Sequence, residues 1–406
     1  MDQKIYDTSR FKEFGQKAIQ KAVEQCAADG GGTVIVPKGE WPSGPVYLKD
    51  HIRLHLEDGA VIRFSSRFED YLPVVFTRWE GMECYNYSPL IYAKDCENVA
   101  VTGNGTLLGS GEGWWHWKGL QQAAANELCY AESNGIPVEQ RVYGTEKAAL
   151  RPSFLQTINC KNVLFEGFTV KNGPQWTIHP VYCENVTVRN VTVDTHGPNT
   201  DGLNPDSCQN VLIEHCTFDT GDDCIAINSG MNEDGWRVGK PSENIEIRDC
   251  RMHGGHGGVV IGSALSGGVK NVYVHECKID GTMQGIRLKS MRGRGGYVYD
   301  ARFENIEINH VSDQAVQINM FYEFSTVTPL GDAPSEVDHV EIRNVYGAGA
   351  KTGIEIKGLP ECKLKNIVLE NIHLTAEEAI VCSNVENIRF VDVNVKGEDG
   401  KNDQTI

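Results

Sequence analysis

The chain has 406 residues, 40% hydrophobic and 23% charged, enough to bury a sizeable core and too apolar for a disordered polymer. Its 38 Lys and Arg against 55 Asp and Glu give a formal charge of −17, and no basic stretch tracks a phosphate backbone, so nucleic acid and anionic membrane surfaces are poor partners. No apolar run approaches the ~18 residues of a membrane helix, and thirteen cysteines with no CxxC pair or Cys/His cluster argue against a disulfide framework or a zinc site. The first residues carry no apolar signal core, so the expectation is a cytoplasmic protein with reduced thiols, secreted only if an export signal was trimmed.

Ala18, Ile19, Ala22, Val23 and Cys26 follow a three-and-four spacing that stops at Gly30-Gly31-Gly32. This predicts an amphipathic helix over residues 11–29. The glycine triplet follows the helix and lacks the Lys-Ser/Thr of a phosphate loop, so it reads as a helix stop.

Further along, Asn followed by an alternating apolar strand recurs at Asn98, Asn162, Asn185, Asn210, Asn244, Asn271, Asn305, Asn366 and Asn387, with His339 in the same place. From Asn162 onward the intervals are 23, 25, 34, 27, 34, 34, 27 and 21 residues, within the range of solenoid repeats. Each interval holds short Val, Ile and Thr-rich strands between Gly, Asn and Asp turns. One coil of a parallel β-helix per repeat fits, making residues 1–406 a single all-β solenoid with the helix covering its open end. Cys96, Cys160, Cys183 and Cys208 lie two residues before the repeat Asn, and Cys216, Cys250 and Cys277 six after, which predicts interior thiol ladders. The Asn itself reads as a turn and ladder residue.

Residues 111–152 break the coil pattern and carry Trp114, Trp115, His116 and Trp117. Two readings of this insertion stand: aromatic packing against the solenoid, or a sugar-stacking wall.

Four polar clusters follow on successive repeats: Asn199-Thr200-Asp201-Gly202, Gly221-Asp222-Asp223-Cys224, Gly255-His256-Gly257 and Arg287-Leu288-Lys289-Ser290. The steps from Asp201 to Asp222, to His256 and to Arg287 are 21, 34 and 31 residues, so the clusters should align on coils ~4.8 Å apart. Three carboxylates, an imidazole and two cations then share one patch, which folding does not require. Carboxylates held at different proton affinities suit glycoside hydrolysis, with Asp222 as the acid and Asp201 and Asp223 holding and deprotonating the water. One coil plus side-chain divergence could give the ~6.5 to 9.5 Å of an inverting enzyme. Arg287 and Lys289 point the same way on a strand, with Arg292 and Arg294 just beyond, as expected for a substrate bearing carboxylates. A metal-dependent lyase of the same substrate has little use for three aspartates and a histidine, a non-catalytic binding solenoid has none for Asp222 beside Asp223, and the lone Asp219-Thr220-Gly221 has no partner loop for an aspartic protease.

These four clusters, in this order, resemble glycoside hydrolase family 28, the polygalacturonases. The likeness runs through nearly the whole chain, including Tyr71 to Arg78, Gly113 to Trp117, Arg151 to Phe154 and Trp176 to Pro180, and is nearest to bacterial exo-acting members. It implies a right-handed parallel β-helix, an inverting mechanism without metal or cofactor, His256 supporting the acid, and oligo- or polygalacturonate from pectin as the substrate. It also implies substrate contacts from Arg287, Lys289, Asn199, Tyr322, Arg292 and His179. Residues 111–152 would close one end of the cleft so that only a chain terminus fits. Rhamnogalacturonan hydrolysis and endo-cleavage stay open, as does a homo-oligomer. One departure is the missing Asp-Phe-Gly-Ala type strand before the helix, which leaves the first coil unaccounted for.

Overall fold

The computed structural model describes residues 4–397 and 404–405. The chain winds as a right-handed parallel β-helix with three strand faces. One face stacks Ile52–Leu56, Glu97–Gly103, Lys161–Glu166, Glu184–Arg189, Gln209–Glu214 and Ser242–Arg248 in parallel register. A second stacks Ala60–Phe64, Thr106–Leu108, Thr169–Lys171, Thr192–Thr195, Thr217–Thr220 and Arg251–His253. A third carries Ile91–Lys94, Leu155–Ile158 and Ile178–Val181, narrows to single bridges at Leu203 and Asp206, and widens again at Ile225–Ile227, Gly257–Ile261 and Gln284–Lys289.

The repeat Asn residues are the corners. Asn98, Asn162, Asn185, Asn210, Asn244 and Asn271 all have φ between 53° and 59°, a conformation Asn tolerates better than most residues. From Asn162 to Asn271 each amide donates to the one on the coil before, at 3.0 Å from Asn162 to Asn98 and 3.1 Å from Asn185 to Asn162, so the turn and the ladder are one device. Inside the corners Val163, Val186, Val211, Ile245 and Val272 stack in register, and the hydrophobic core runs without interruption from Ala18 to Val395. The seven ladder cysteines are buried free thiols, as the register predicts.

Helix α1 spans Gln16–Ala28 and buries Ala18, Ile19, Ala22, Val23 and Cys26 over the first coil. It starts later than residue 11 because Gly15 takes φ 62°, where a Cβ would lie 2.3 Å from the Pro42 carbonyl oxygen. The first coil is complete after all: Ile5–Asp7 pairs in parallel with Thr33, Val34 and Ile35. Among the described residues, no helix is long and apolar enough to cross a membrane.

The insertion folds as short 3-10 turns and helix α2, Gln122–Ser133. Trp114 and Trp117 are buried against Phe68, Tyr71 and Tyr87, which decides for the packing reading of those two rings. A satellite core joins Ala124, Ala125, Leu128 and Cys129 of α2 to Trp79, Met82, Met231, Ala264 and Val327. The insertion and the 321–335 loop are thereby fastened together, and Gln122 Nε2 adds a 2.7 Å bond to the Thr326 carbonyl.

Candidate active site

The polar clusters lie along the third face, beside a cavity of about 500 Å³ lined by Asn199, Asp201, Asp222, Asp223, His256, Lys289 and Tyr322. The register differs from the interval count. Leu203 pairs with Ile225, and the Gly202 amide donates to the Asp223 carbonyl, so Asp201 stands opposite Asp223 rather than Asp222. Asp222 instead faces His256, whose amide donates to its carbonyl at 3.0 Å. Arg287 pairs with Val260, several residues along the strand from His256, and reaches back toward the aspartates. Gly255 and Gly257 make this stacking feasible. At Gly255 (φ 92°) a Cβ would lie 2.2 Å from the Asp222 carbonyl oxygen, and at Gly257 it would press 3.0 Å from Asp223 Oδ1.

One carboxylate oxygen from each of Asp201, Asp222 and Asp223 lies within 4.8 Å of the other two. These oxygens sit closer than the separation expected from an inverting carboxyl pair, so spacing alone does not assign the stereochemistry. Burial, then the neighbouring Asp222 and Asp223 charges, holds Asp201 well above the usual carboxylate range, with Asn204 Nδ2 donating to it at 2.9 Å. Burial pushes Asp222 up too, but the 3.0 Å contact from His256 Nδ1 and the charge of Lys289 outweigh it and leave Asp222 low. The same contact raises His256. Proton affinity is thus raised at Asp201 and His256 and lowered at Asp222, and His256 and Asp222 titrate as a coupled pair.

Asp223 Oδ2 accepts from Lys289 Nζ at 2.6 Å, and Arg287 Nη1 is 3.9 Å from Oδ1, which is buried and has no hydrogen-bond partner. Burial opposes the charge on Lys289, but the Asp223 carboxylate wins and raises it. Tyr322 covers both cations, with its ring centroid 5.0 Å from Lys289 Nζ and 5.5 Å from the Arg287 guanidinium carbon. Arg287 opens onto a smaller adjoining cavity with Gln317, Asn319 and Phe324. Asn199 is aimed by Arg151, whose Nη2 donates to Oδ1 at 2.8 Å and so turns the amide nitrogen toward Asp222.

Two expected contacts, His179 and Arg292, lie elsewhere, and so does the neighbouring Arg294. His179 is fully buried outside the cavity, bonded to Asp206 at 3.3 Å and Gln156 at 2.9 Å, and burial lowers its proton affinity. Arg292 faces solvent, paired with Glu361 and lying over Phe321. Arg294 is buried beneath the 321–335 loop, donating to Asn232 and Ser325. Sequence spacing missed Glu80, Lys118 and Trp176, which line the cavity from earlier coils and the insertion. For Glu80 a signal existed: Glu80-Gly81 is a two-residue turn with both φ positive, joining Val75–Trp79 to Met82–Asn86.

The profile of glycosyl hydrolases family 28 matches residues 33–395. A hyperthermoactive exopolygalacturonase from Thermotoga maritima, of solved structure, is 38% identical with a TM-score of 0.93, covering 99% of this chain and 94% of that one. A probable polygalacturonase from Vitis vinifera is 28% identical over 389 residues, 92% of this chain and 74% of its own. An exo-poly-alpha-D-galacturonosidase from Dickeya chrysanthemi is 26% identical over 373 residues, 84% of this chain and 61% of its own. With its three aspartates, histidine and paired cations gathered on one face of a right-handed parallel β-helix, the chain belongs to glycosyl hydrolases family 28 and is a glycoside hydrolase.

Proposed function

We propose that the protein is an exo-acting polygalacturonase that releases galacturonic acid from the ends of α-1,4-linked galacturonate chains with inversion. The observation that carries this reading is the pairing of the Asp201, Asp222 and Asp223 cluster with buried Lys289 and Arg287 in a cleft walled by the insertion and the 321–335 loop. The two exo-acting relatives support the mode of attack.

In the proposed reaction the proton shared by His256 and Asp222 passes from Asp222 to the leaving glycosidic oxygen. A water between Asp201 and Asp223 finds its acceptor at Asp223 Oδ1, the buried oxygen without a protein partner. That water gives its proton to Asp223 as it attacks the anomeric carbon from the opposite side of the ring. Protonated Asp201 donates to the same water and orients it, while Lys289 and Arg287 hold the substrate carboxylate.

The test is the product profile from polygalacturonate and from trigalacturonate over time, with EDTA present. Monomer from the first time point, with the β-anomer first by NMR, is expected, and Asp222→Asn should lower kcat about 10²- to 10⁴-fold. A ladder of oligomers would overturn the exo mode, initial α-anomer would overturn inversion, and product from rhamnogalacturonan alone would overturn the substrate.

A further inference from the structure

The cavity is lined at its insertion side by residues that the reaction above does not use. Glu80 sits at a hairpin tip with φ 44°, an uncommon conformation for a non-glycine residue, and is buried. Its Oε1 accepts from Gln175 Nε2 at 2.8 Å, and Thr326 of the 321–335 loop also bonds to it. Lys118 comes from the insertion, is half-buried, and lines the same cavity. Among the described residues it forms no ion pair; Glu80 is the carboxylate whose field it shares. Trp176 offers a ring on the same cavity.

A galacturonate chain carries one carboxylate per sugar, so hydrolysis between two sugars leaves one carboxylate on each side of the aspartates. Lys289 and Arg287, from later coils, serve one of them. The charge required for the other is present in Lys118, which no acidic side chain among the described residues neutralises directly.

We propose, resting on the polygalacturonase reading, that Lys118 and Glu80 form the terminal-sugar site: Lys118 pairs with the carboxylate of the non-reducing terminal galacturonate, and Glu80 hydrogen-bonds its free 4-hydroxyl. Glu80 occupies the position a further sugar would need, with Thr326 and Gln175 fixing its carboxyl group. The chain would lie with its non-reducing end against the insertion and its leaving portion over Arg287. Both are specificity-determining residues that bind substrate without taking part in proton transfer.

The test compares wild type, Lys118→Met, Lys118→Arg and Glu80→Gln on three trimers: trigalacturonate, the analogue whose non-reducing sugar is galactose, and the 4,5-unsaturated trimer that lacks the 4-hydroxyl. On trigalacturonate Lys118→Met should lower kcat/KM about 10- to 100-fold, mainly through KM, with Lys118→Arg recovering most of it. On the galactose-ended trimer wild type and Lys118→Met should agree within about threefold, because the pair is already missing from the substrate. Glu80→Gln should narrow the preference of wild type for trigalacturonate over the unsaturated trimer. An equal loss from Lys118→Met on both carboxylate-bearing and galactose-ended trimers, no loss on either, or an unchanged preference in Glu80→Gln would overturn the terminal-sugar site while leaving the hydrolase intact. Wild type without activity on trigalacturonate would take down both readings.

Discussion

Replacing Arg78 with Met tests the buried charge network beneath the cleft. Arg78 is fully enclosed, with Nη1 2.9 Å from Asp206 Oδ1 and from Ser207 Oγ, and Nε 3.1 Å from the Gly81 carbonyl. Asp206 also receives His179 at 3.3 Å and the Gly230 amide at 3.0 Å. Removing the guanidinium strands a buried carboxylate, a loss of about 3–5 kcal/mol. At about 2.1 cal/mol/K of unfolding entropy per residue, a chain of this length unfolds with about 0.85 kcal/mol/K, so the melting temperature should fall about 4–6 °C at pH 7. Burial raises the Asp206 proton affinity, but the Arg78 charge and the His179 bond outweigh it and hold the carboxyl below its ordinary value. A depressed carboxylate stabilises the fold above the unfolded value, about 3.9, and that stability is lost as pH falls through the folded value. In the variant Arg78 no longer opposes burial, so Asp206 takes up a proton more readily, and the gap should be widest near pH 7, narrow as pH falls, and be smallest below about 4. Thermal melts by circular dichroism across that range measure it. A drop under about 1 °C at pH 7, or a gap that persists unchanged at the acid end, would refute the reasoning.

The His256 imidazole is raised by its bond to Asp222, so its charged form persists above the ordinary value near 6.5 and is lost as pH climbs through the raised one. kcat/KM should fall along that alkaline limb, and His256→Gln should displace it; an unchanged limb would remove His256 from the proton path. Arg292→Ala should leave the melting temperature within about 1 °C and KM within about twofold of wild type, since its partner Glu361 is an exposed charge. A clear rise in KM would return Arg292 to the site. Thiol labelling of the native protein should find Cys382 rapidly and Cys362 slowly, with the other eleven reacting only after denaturation. Several fast native thiols, or fewer than thirteen after denaturation, would contradict the buried ladders.

What the amino-acid sequence determined by itself is the periodic part of the molecule. Asn at a left-handed corner and an apolar strand after it recur along the solenoid, with a cysteine at a set offset on the repeats from Asn98 to Asn271, and each coil contacts chiefly its neighbours, so local chemistry and long-range packing carry the same signal. The three aspartates, His256, Arg287 and Lys289 were legible for that reason: they are polar departures at positions where the repeat expects turn residues or strand. The first coil was not legible in this way: Ile5–Asp7 takes the place of the missing motif, and only its pairing with Thr33, Val34 and Ile35 shows it. Only the tertiary structure decided what the interval count blurs. Repeats of 21 to 34 residues hide one- and four-residue offsets, so Asp201 meets Asp223, and Arg287 reaches the site from beside Val260. Partners far apart in the chain settled the rest: Glu361 draws Arg292 to the surface, 69 residues away, and Asp206 with Gln156 holds His179 beneath the cleft. Glu80 and Lys118 enter the cavity only because a hairpin and an insertion fold over coils that come later in the chain. The division of protons among the aspartates belongs to the same class, because burial and the placement of His256 and Lys289 set it, and neither is written in the spacing of the residues themselves.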